Sequence, residues 1–409
     1  MQEFVDGLVA SGFAPANIPV WVHYLTAMLV FGGIVVFGFV LPIAGITTWV
    51  ERRVAGRIQS RIGPNRTGPA GFLQWLADGI KSLLKEDIVP DAADAPLFKL
   101  APYVVMTGFV GAFVALPFGG PLIIADLNVG ILYITAVTSL VVVGILMAGW
   151  SSNNKWSLLG GIRSAAQIVS YEIPAGLSIF PIVMLSGALS MQSIIAEQGA
   201  APWRWFIFNN PFTFIAFFIF FVAALAEGNR TPFDLPEAES ELVMGFATEY
   251  SGMRNLLFFM AEWGNLYVIG AIVTTLFLGG WKVPHALGGL PAIALVPLQF
   301  ATFFLKSYLW VFVAVWLRWT LPRIRVDQMM IMCWKYLVPL AFVNLLGTAA
   351  WMVVFPHGAP GVPQLLCVAA AVLVGLFLRR VRYHLKRAGL KRDEISYNIL
   401  ATERIPGLG

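Results

Sequence analysis

Residues 24–53 read YLTAMLVFGGIVVFGFVLPIAGITTWVERR, with no charged side chain before Glu51. An α-helix rises about 1.5 Å per residue, so a run of this length crosses a hydrocarbon layer about 30 Å thick. The triplet Glu51-Arg52-Arg53 then ends the apolar stretch. The rest of the 409-residue chain repeats the pattern, being 58% hydrophobic and only 12% charged, with a mean hydropathy of +0.77. Soluble domains carry roughly 25% charged residues. In lipid every backbone N–H and C=O must be satisfied within the protein, which leaves helices or closed barrels. Barrel strands need only about 10 residues. Runs of about twice that length predict an all-α polytopic membrane protein. The first residues lack a basic start and the first apolar run is long, so a cleaved leader is not expected.

Nine spans are expected, near 24–49, 102–118, 127–149, 171–190, 211–226, 253–279, 298–317, 336–355 and 364–383, the fifth being the shortest. Lysine and arginine then set the orientation. Loops 50–101, 150–170, 227–254 and 318–335, with the tail from 379, hold 24 of the 27 basic residues. The opposite side has only Arg204 and Lys282, and Lys306 lies within a span. The amino terminus is therefore expected outside, with the long loops and the carboxyl tail in the cytoplasm. Topology accounts for the net charge of +5, and nucleic acid is not an expected partner. The tail arginines and lysines from Arg379 to Arg392 suit anionic lipid headgroups instead. Residues 1–355 form one expected membrane domain, with loops 50–101 and 227–253; residues 356–409 add a ninth span and a basic tail.

Residues 71–88 carry Phe72, Leu73, Leu76, Ile80, Leu83 and Leu84 at helical spacing, with Gln74, Asp78, Lys81 and Lys85 on the other face. That pattern predicts an amphipathic helix lying at the cytoplasmic-side interface. Cys333 and Cys367 are the only cysteines, and His23, His285, His357 and His384 are scattered. An iron–sulfur cluster usually takes four thiolates. No metal or redox cofactor is therefore expected in this chain, and electrons must pass to a molecule brought from outside.

Ionisable groups inside a bilayer are costly and mark function by default. Glu172 is expected to open the fourth span, Glu227 to close the fifth, and Glu262 and Lys306 to lie within the sixth and seventh. Interhelical salt bridges are the plain alternative for each. Together in one small bundle they favour a path for protons. The loop after Glu227 adds Asp234, Glu237, Glu239, Glu241 and Glu249. Pro236 between Asp234 and Glu237 predicts a helix start that sets Glu237 and Glu241 on one face. Crowded carboxylates cannot all ionise, so some should hold protons near neutral pH. A solvated acidic loop is the alternative, opposed by the flanking Phe233, Leu235, Leu242, Val243 and Phe246. The first loop has the opposite sign, with Arg52, Arg53, Arg57, Arg61 and Arg66 around Gly63, Pro64, Gly68, Pro69 and Gly71. An apolar mouth lined by fixed polar groups suits a lipid-soluble substrate with a polar head, or equally a docking loop for a partner protein.

These motifs carry a resemblance. Glu51-Arg52-Arg53, Arg61-Ile-Gly-Pro-Asn-Arg66, Gly68 to Asp78, Lys81 to Glu86, Ser170-Tyr-Glu172, the block Glu227-Gly-Asn-Arg-Thr-Pro-Phe-Asp-Leu through Glu241 to Glu249-Tyr250, Ala261-Glu262, Phe277-Leu-Gly-Gly-Trp281 and Leu321 to Gln328 resemble the quinone-site membrane-subunit family of complex I, the proton-pumping NADH:quinone oxidoreductase. The resemblance spans roughly residues 20–355. It implies a bacterial cell-membrane subunit joining the membrane arm to the peripheral arm, with quinone as substrate. FMN and iron–sulfur clusters are implied in partner subunits. Implied partners are the quinone-site and terminal-cluster subunits of the peripheral arm, small membrane-arm neighbours, and the bilayer. On matching positions, Arg52, Arg61, Asp78, Lys81, Phe246 and Glu249 are implied in the quinone chamber. Glu51, Glu172, Glu227, Glu237, Glu239, Glu241 and Glu262, with Lys306, are implied in the proton path. Arg318, Arg323, Arg325 and Asp327 look like docking residues. Members of the family usually end after eight spans, so the ninth is a departure. Two alternatives are the related subunit of a membrane-bound hydrogenase or formate hydrogenlyase, which has no quinone to admit, and a stand-alone ion transporter. The long arginine loop with its amphipathic helix favours the quinone enzyme.

Overall fold

Among the described residues, nine apolar helices overlap the nine expected spans. Among the described residues, eight are long and apolar enough to cross a membrane, and Pro211–Glu227, the shortest, has 17 residues. The computed structural model describes residues 19–235, 239–284, 291–356, 358–359 and 361–387. In chain order, α1 (Val20–Val35) passes through a π-helical turn (Val36–Val40) into α2 (Leu41–Ile58). Then come α3 (Gln74–Leu84), α4 (Ala95–Ala112), α5 (Gly130–Thr138), α6 (Leu140–Ser151), α7 (Lys155–Ser186), α8 (Met191–Glu197) and α9 (Pro211–Glu227). The last elements are α10 (Gly252–Phe277), α11 (Ala292–Thr320), α12 (Val326–Ile331), a second π-helical turn (Met332–Leu337), α13 (Val338–Val354) and α14 (Val362–Arg387).

α10 is the axis of the bundle. Every residue from Leu266 to Phe277 on it is buried, and it packs on α2, α4 and α11. Association of helices in lipid depends on close packing of small residues. Gly264 illustrates this: a Cβ there would fall 1.9 Å from the Phe109 ring, so only glycine lets α4 approach. Polar side chains close several helix ends. The Asn210 side chain accepts from the Thr213 N–H at 2.7 Å and Pro211 follows at the first helical position. Pro174 and Pro181 lie inside α7; neighbouring helices make this tolerable within a bilayer. α14 lies at the periphery, with none of its most apolar window buried.

The largest differences from expectation lie at three boundaries, one of them the start of the eighth span, at Val326 and not near 336. The fourth span, α7, begins at Lys155 and not near 171, so most of the expected loop 150–170 is helical. Its added turns carry Ser157, Gly160, Gly161, Ser164, Gln167 and Ser170, all buried. Small and polar residues of this kind face other helices and leave no apolar run to detect. Glu172 therefore sits in the middle of α7 and does not open it. The first span also continues to Ile58, which places Glu51, Arg52 and Arg53 on helix and not in loop. The amphipathic helix forms over Gln74–Leu84, and its Leu76, Ile80, Leu83 and Leu84 stay exposed as an interfacial helix requires.

Candidate functional site

One end of the bundle, where α2, α9 and α11 finish and α10 begins, buries a cluster of charge. Arg230 is 1% exposed and Glu51 3%. The Arg230 guanidinium lies 3.1 Å from Glu262 and 3.7 Å from Glu51, and Arg318 lies 3.0 Å from the other oxygen of Glu51. Two cations thus balance two carboxylates. Removing a single partner from such a cluster would leave an uncompensated buried charge. Among the described residues, no guanidinium nitrogen of Arg230 meets hydrogen-bond geometry. The guanidinium is therefore held between the two carboxylates by charge without being locked to either. Its flat face lies on Trp263, 4.3 Å from the ring centroid, a cation–π contact.

Local structure delivers Arg230 to this position. α9 ends at Glu227, and the chain turns back through Asn229, at φ 50°. Gln167 of α7 clamps the turn by donating to the carbonyls of Ala226 and Phe233, both at 2.7 Å. Asn229 donates to the Ser164 hydroxyl at 3.2 Å. Farther along, Gly160 and Gly245 meet so closely that a Cβ on Gly160 would lie 2.6 Å from the Gly245 Cα. The acidic loop is thereby pressed onto α7. Asp234 is buried beside Arg323, at 3.5 Å. Burial holds its carboxyl above the usual range, against the lowering pull of Arg318 and Arg323.

A crevice of about 580 Å³ opens next to this cluster between α2, α3 and α10. Arg52, Asp78 and Lys81 line it, and Arg52 pairs with Asp78 at 2.5 Å. Gln74 donates to the other Asp78 oxygen at 3.0 Å. The hairpin leading into α3 is fixed by Gly71 at φ 72°, where a Cβ would collide with the Pro64 carbonyl. Arg53 ties the same hairpin down by donating to the Ala70 carbonyl at 2.6 Å. Trp263 lines the crevice as well, so one indole touches both the crevice and the buried ion cluster.

A line of polar groups leads from the cluster into the bundle. Glu262, Glu227, Asn229, Phe246 and Asn265 share a small cavity of about 50 Å³. Glu227 and Asn265 also border a second cavity of about 350 Å³ that contains Glu172 and Ser139. The Ser139 hydroxyl donates to Glu172 at 2.9 Å. Glu262, Glu227 and Glu172 thus follow one another through adjoining spaces, and Glu51 is joined to Glu262 through Arg230.

Other expected site residues lie apart. Arg61 donates to Gln59 at 2.6 Å and does not border the crevice. Phe246 packs on Phe258 and Glu249 accepts from Asn154 at 2.5 Å, both away from it. Glu241 pairs with Arg163 at the surface. Lys306 donates to the carbonyls of Leu278 and Gly280 at the end of α10, and lies 4.6 Å from the Trp205 centroid. These contacts cap the end of that helix, and Lys306 borders neither of the two cavities that hold Glu262, Glu227 and Glu172. Arg318 turns inward to Glu51, whereas Arg323, Arg325 and Asp327 stay near the surface. Glu237 and the side chain of Glu239 fall outside the described residues. Arg230, Trp263, Asn265 and Ser139 are additions that the sequence reading missed. Only the Glu262–Asn265 spacing, three apart on one helix face, could have flagged any of them.

Comparison with known proteins agrees with this architecture. Residues 31–349 match the family model described as NADH dehydrogenase. The H subunit of NADH-quinone oxidoreductase from Anaeromyxobacter dehalogenans is 57% identical over 387 residues, covering 90% of this chain and 93% of the relative. The H subunit from Chlorobium luteolum is 46% identical over 359 residues, 85% of this chain and 93% of that one. The H subunit from Dehalococcoides mccartyi is 47% identical over 365 residues, 89% and 96%. The family match covers most of the sequence, and the chain belongs to the NADH dehydrogenase family, similar along nearly its whole length to the H subunit of NADH-quinone oxidoreductase.

Proposed function

We propose that this protein is the membrane subunit of a proton-pumping NADH:quinone oxidoreductase in which the crevice between α2, α3 and α10 admits the quinone. Arg52, Asp78 and Lys81 provide polar anchors at its mouth for a carbonyl headgroup, and the exposed leucines of α3 face the lipid from which it comes. Electrons arrive from a cluster in a partner subunit. Two electrons and two protons convert quinone to quinol, so reduction leaves negative charge that draws protons. The ion cluster of Glu51, Arg230, Glu262 and Arg318 feels that charge, and Glu227 and Glu172 pass the response on as a change of protonation. Unit charges 4 Å apart interact by about 4 kcal/mol at an effective dielectric near 20, enough to reset a neighbouring carboxylate. In this reading the amino terminus lies outside the cytoplasmic membrane of a bacterium. Arg323, Arg325 and Asp327 meet the peripheral arm, and residues 356–409 are an addition to the core domain 1–355.

The observation that carries this reading is Trp263, a wall of the crevice that also stacks on Arg230. Glu227→Gln in the assembled complex is the test. Quinone reduction in detergent should persist while proton translocation in vesicles falls by about an order of magnitude or more. Unchanged pumping in a fully assembled variant would remove Glu227 from the path.

A further inference from the structure

At the end of the bundle remote from the ion cluster, the segment 196–209 leading into α9, the starts of α11 and α14 and the segment following α10 line a cavity of about 700 Å³. Four spans thus begin or end around it, which puts it at the level of the lipid headgroups. Trp203, Trp205 and Trp281 line it together with Arg204 and Lys282. Tryptophan is the side chain enriched at that level, because its ring is apolar and its N–H polar. Arg204 and Lys282 are also the two basic residues that charge asymmetry leaves on this side of the membrane. Far apart in the chain, they converge on a single cavity.

The two cations differ in how they are held. The Lys282 ammonium donates to the carbonyls of Ala196 and Gln198, and Glu197 opposes its charge. Among the described residues the Arg204 guanidinium has no hydrogen-bond or ion-pair partner. Behind Trp205, the Lys306 ammonium adds a further positive charge. A cavity of this size, with aromatic walls and the two cations Arg204 and Lys282 against the one carboxylate of Glu197 in its lining, suits an anionic head on an apolar body. Phosphate matches the donor fork of arginine.

We infer that this cavity binds the phosphate-bearing head of an anionic phospholipid, with the phosphate on Arg204. Its hydrocarbon leaves past Leu295 and Pro363, the apolar side of the lining. Pro363 belongs to α14, which lies beyond the residues matching the family. The ninth span thereby acquires a role, closing one wall of a lipid site.

The test uses the intact complex in phosphatidylcholine nanodiscs containing a trace of photoreactive phosphatidylglycerol, with labelled peptides mapped by mass spectrometry. Labelling is independent of turnover, so its outcome is separate from that of the quinone reading. Label should appear in residues 196–209 and 281–284. Unlabelled phosphatidylglycerol should compete; added phosphatidylcholine and inorganic phosphate should not. Arg204→Gln should lower labelling about five-fold, the ratio equivalent to about 1 kcal/mol for one basic side chain facing anionic lipid. Arg204→Lys should keep most of it. Equal competition by phosphatidylcholine, displacement by inorganic phosphate, or full labelling of an assembled Arg204→Gln complex would overturn the assignment. If Arg204→Gln fails to assemble, the competition on the unaltered complex decides by itself.

Discussion

The Arg230 guanidinium lies 4.3 Å from the Trp263 ring centroid, and the same indole forms part of the crevice wall between α2, α3 and α10. Arg230 in turn contacts Glu262 at 3.1 Å. A molecule entering the crevice therefore meets Trp263, and a proton arriving on Glu262 meets Arg230, which stacks on that indole. No backbone movement is required to connect them.

Trp263→Leu should impair both events. The loss of a desolvated cation–π contact is worth about 2 kcal/mol. The KM for quinone should rise and the number of protons moved per electron should fall together, while Trp263→Tyr retains both in large part. Parallel measurement of quinone reductase activity and proton uptake checks this. A change in KM alone would mean that the indole is a wall and nothing more.

Arg230→Gln should be among the most damaging single changes in the chain. It leaves the Glu51 and Glu262 carboxylates facing each other across a buried site with only Arg318 to oppose them. Breaking one partner out of a buried ion pair costs about 3–5 kcal/mol. The expected result is poor assembly, read from the yield of intact complex. The additional change Glu262→Gln should restore part of that yield, because it removes the charge left unpaired.

Lys306→Met tests the assignment of that lysine as a helix cap. Its ammonium donates to the carbonyls of Leu278 and Gly280 at 2.8 and 3.1 Å. Loss of these charged hydrogen bonds should destabilise the subunit by about 2 kcal/mol, measured as faster thermal inactivation. The proton-to-electron ratio of the surviving complex should not change. A selective loss of pumping would return Lys306 to the proton path.

Tyr250 gives a prediction for alkaline pH. Its hydroxyl donates to the Phe98 carbonyl at 3.1 Å, and the two rings stack with centroids 4.0 Å apart. Burial pushes its phenol up to about 12, against the lowering effects of Ser151 and Arg254. The ordinary value is about 10. A group whose folded pKa is raised contributes stability fully below its unfolded pKa and loses it as pH rises through the folded one. The junction between α4 and the loop before α10 should therefore weaken between about pH 10 and 12. Hydrogen exchange of residues 245–252 should accelerate in that window. Tyr250→Phe should flatten this part of the pH dependence.

The spans were legible because lipid imposes a local rule: about 20 apolar residues in a row are sufficient. α7 shows where that rule fails. Its first half buries Gly160, Ser164 and Gln167 against protein and not lipid, so it looked like a loop. The misplacement of Glu172 at a helix start followed from this. Arg52, Asp78, Lys81 and Arg61 stand out alike in the motif, and only packing places the first three on the crevice wall and Arg61 off it. Arg230 was invisible for another reason. A single arginine after an apolar run looks like a topological charge, and nothing local to it shows that it is 1% exposed.

The sequence by itself determined the solvent, the succession of apolar helices and the lopsided placement of basic residues, because hydrophobicity and charge act on each segment separately. Tertiary structure decided which ionisable groups share a space: Glu51 with Arg230 and Arg318, Glu227 between two cavities, Arg204 with Lys282. Pairing and desolvation depend on distances between side chains remote in the chain, and those distances exist only once the helices have packed.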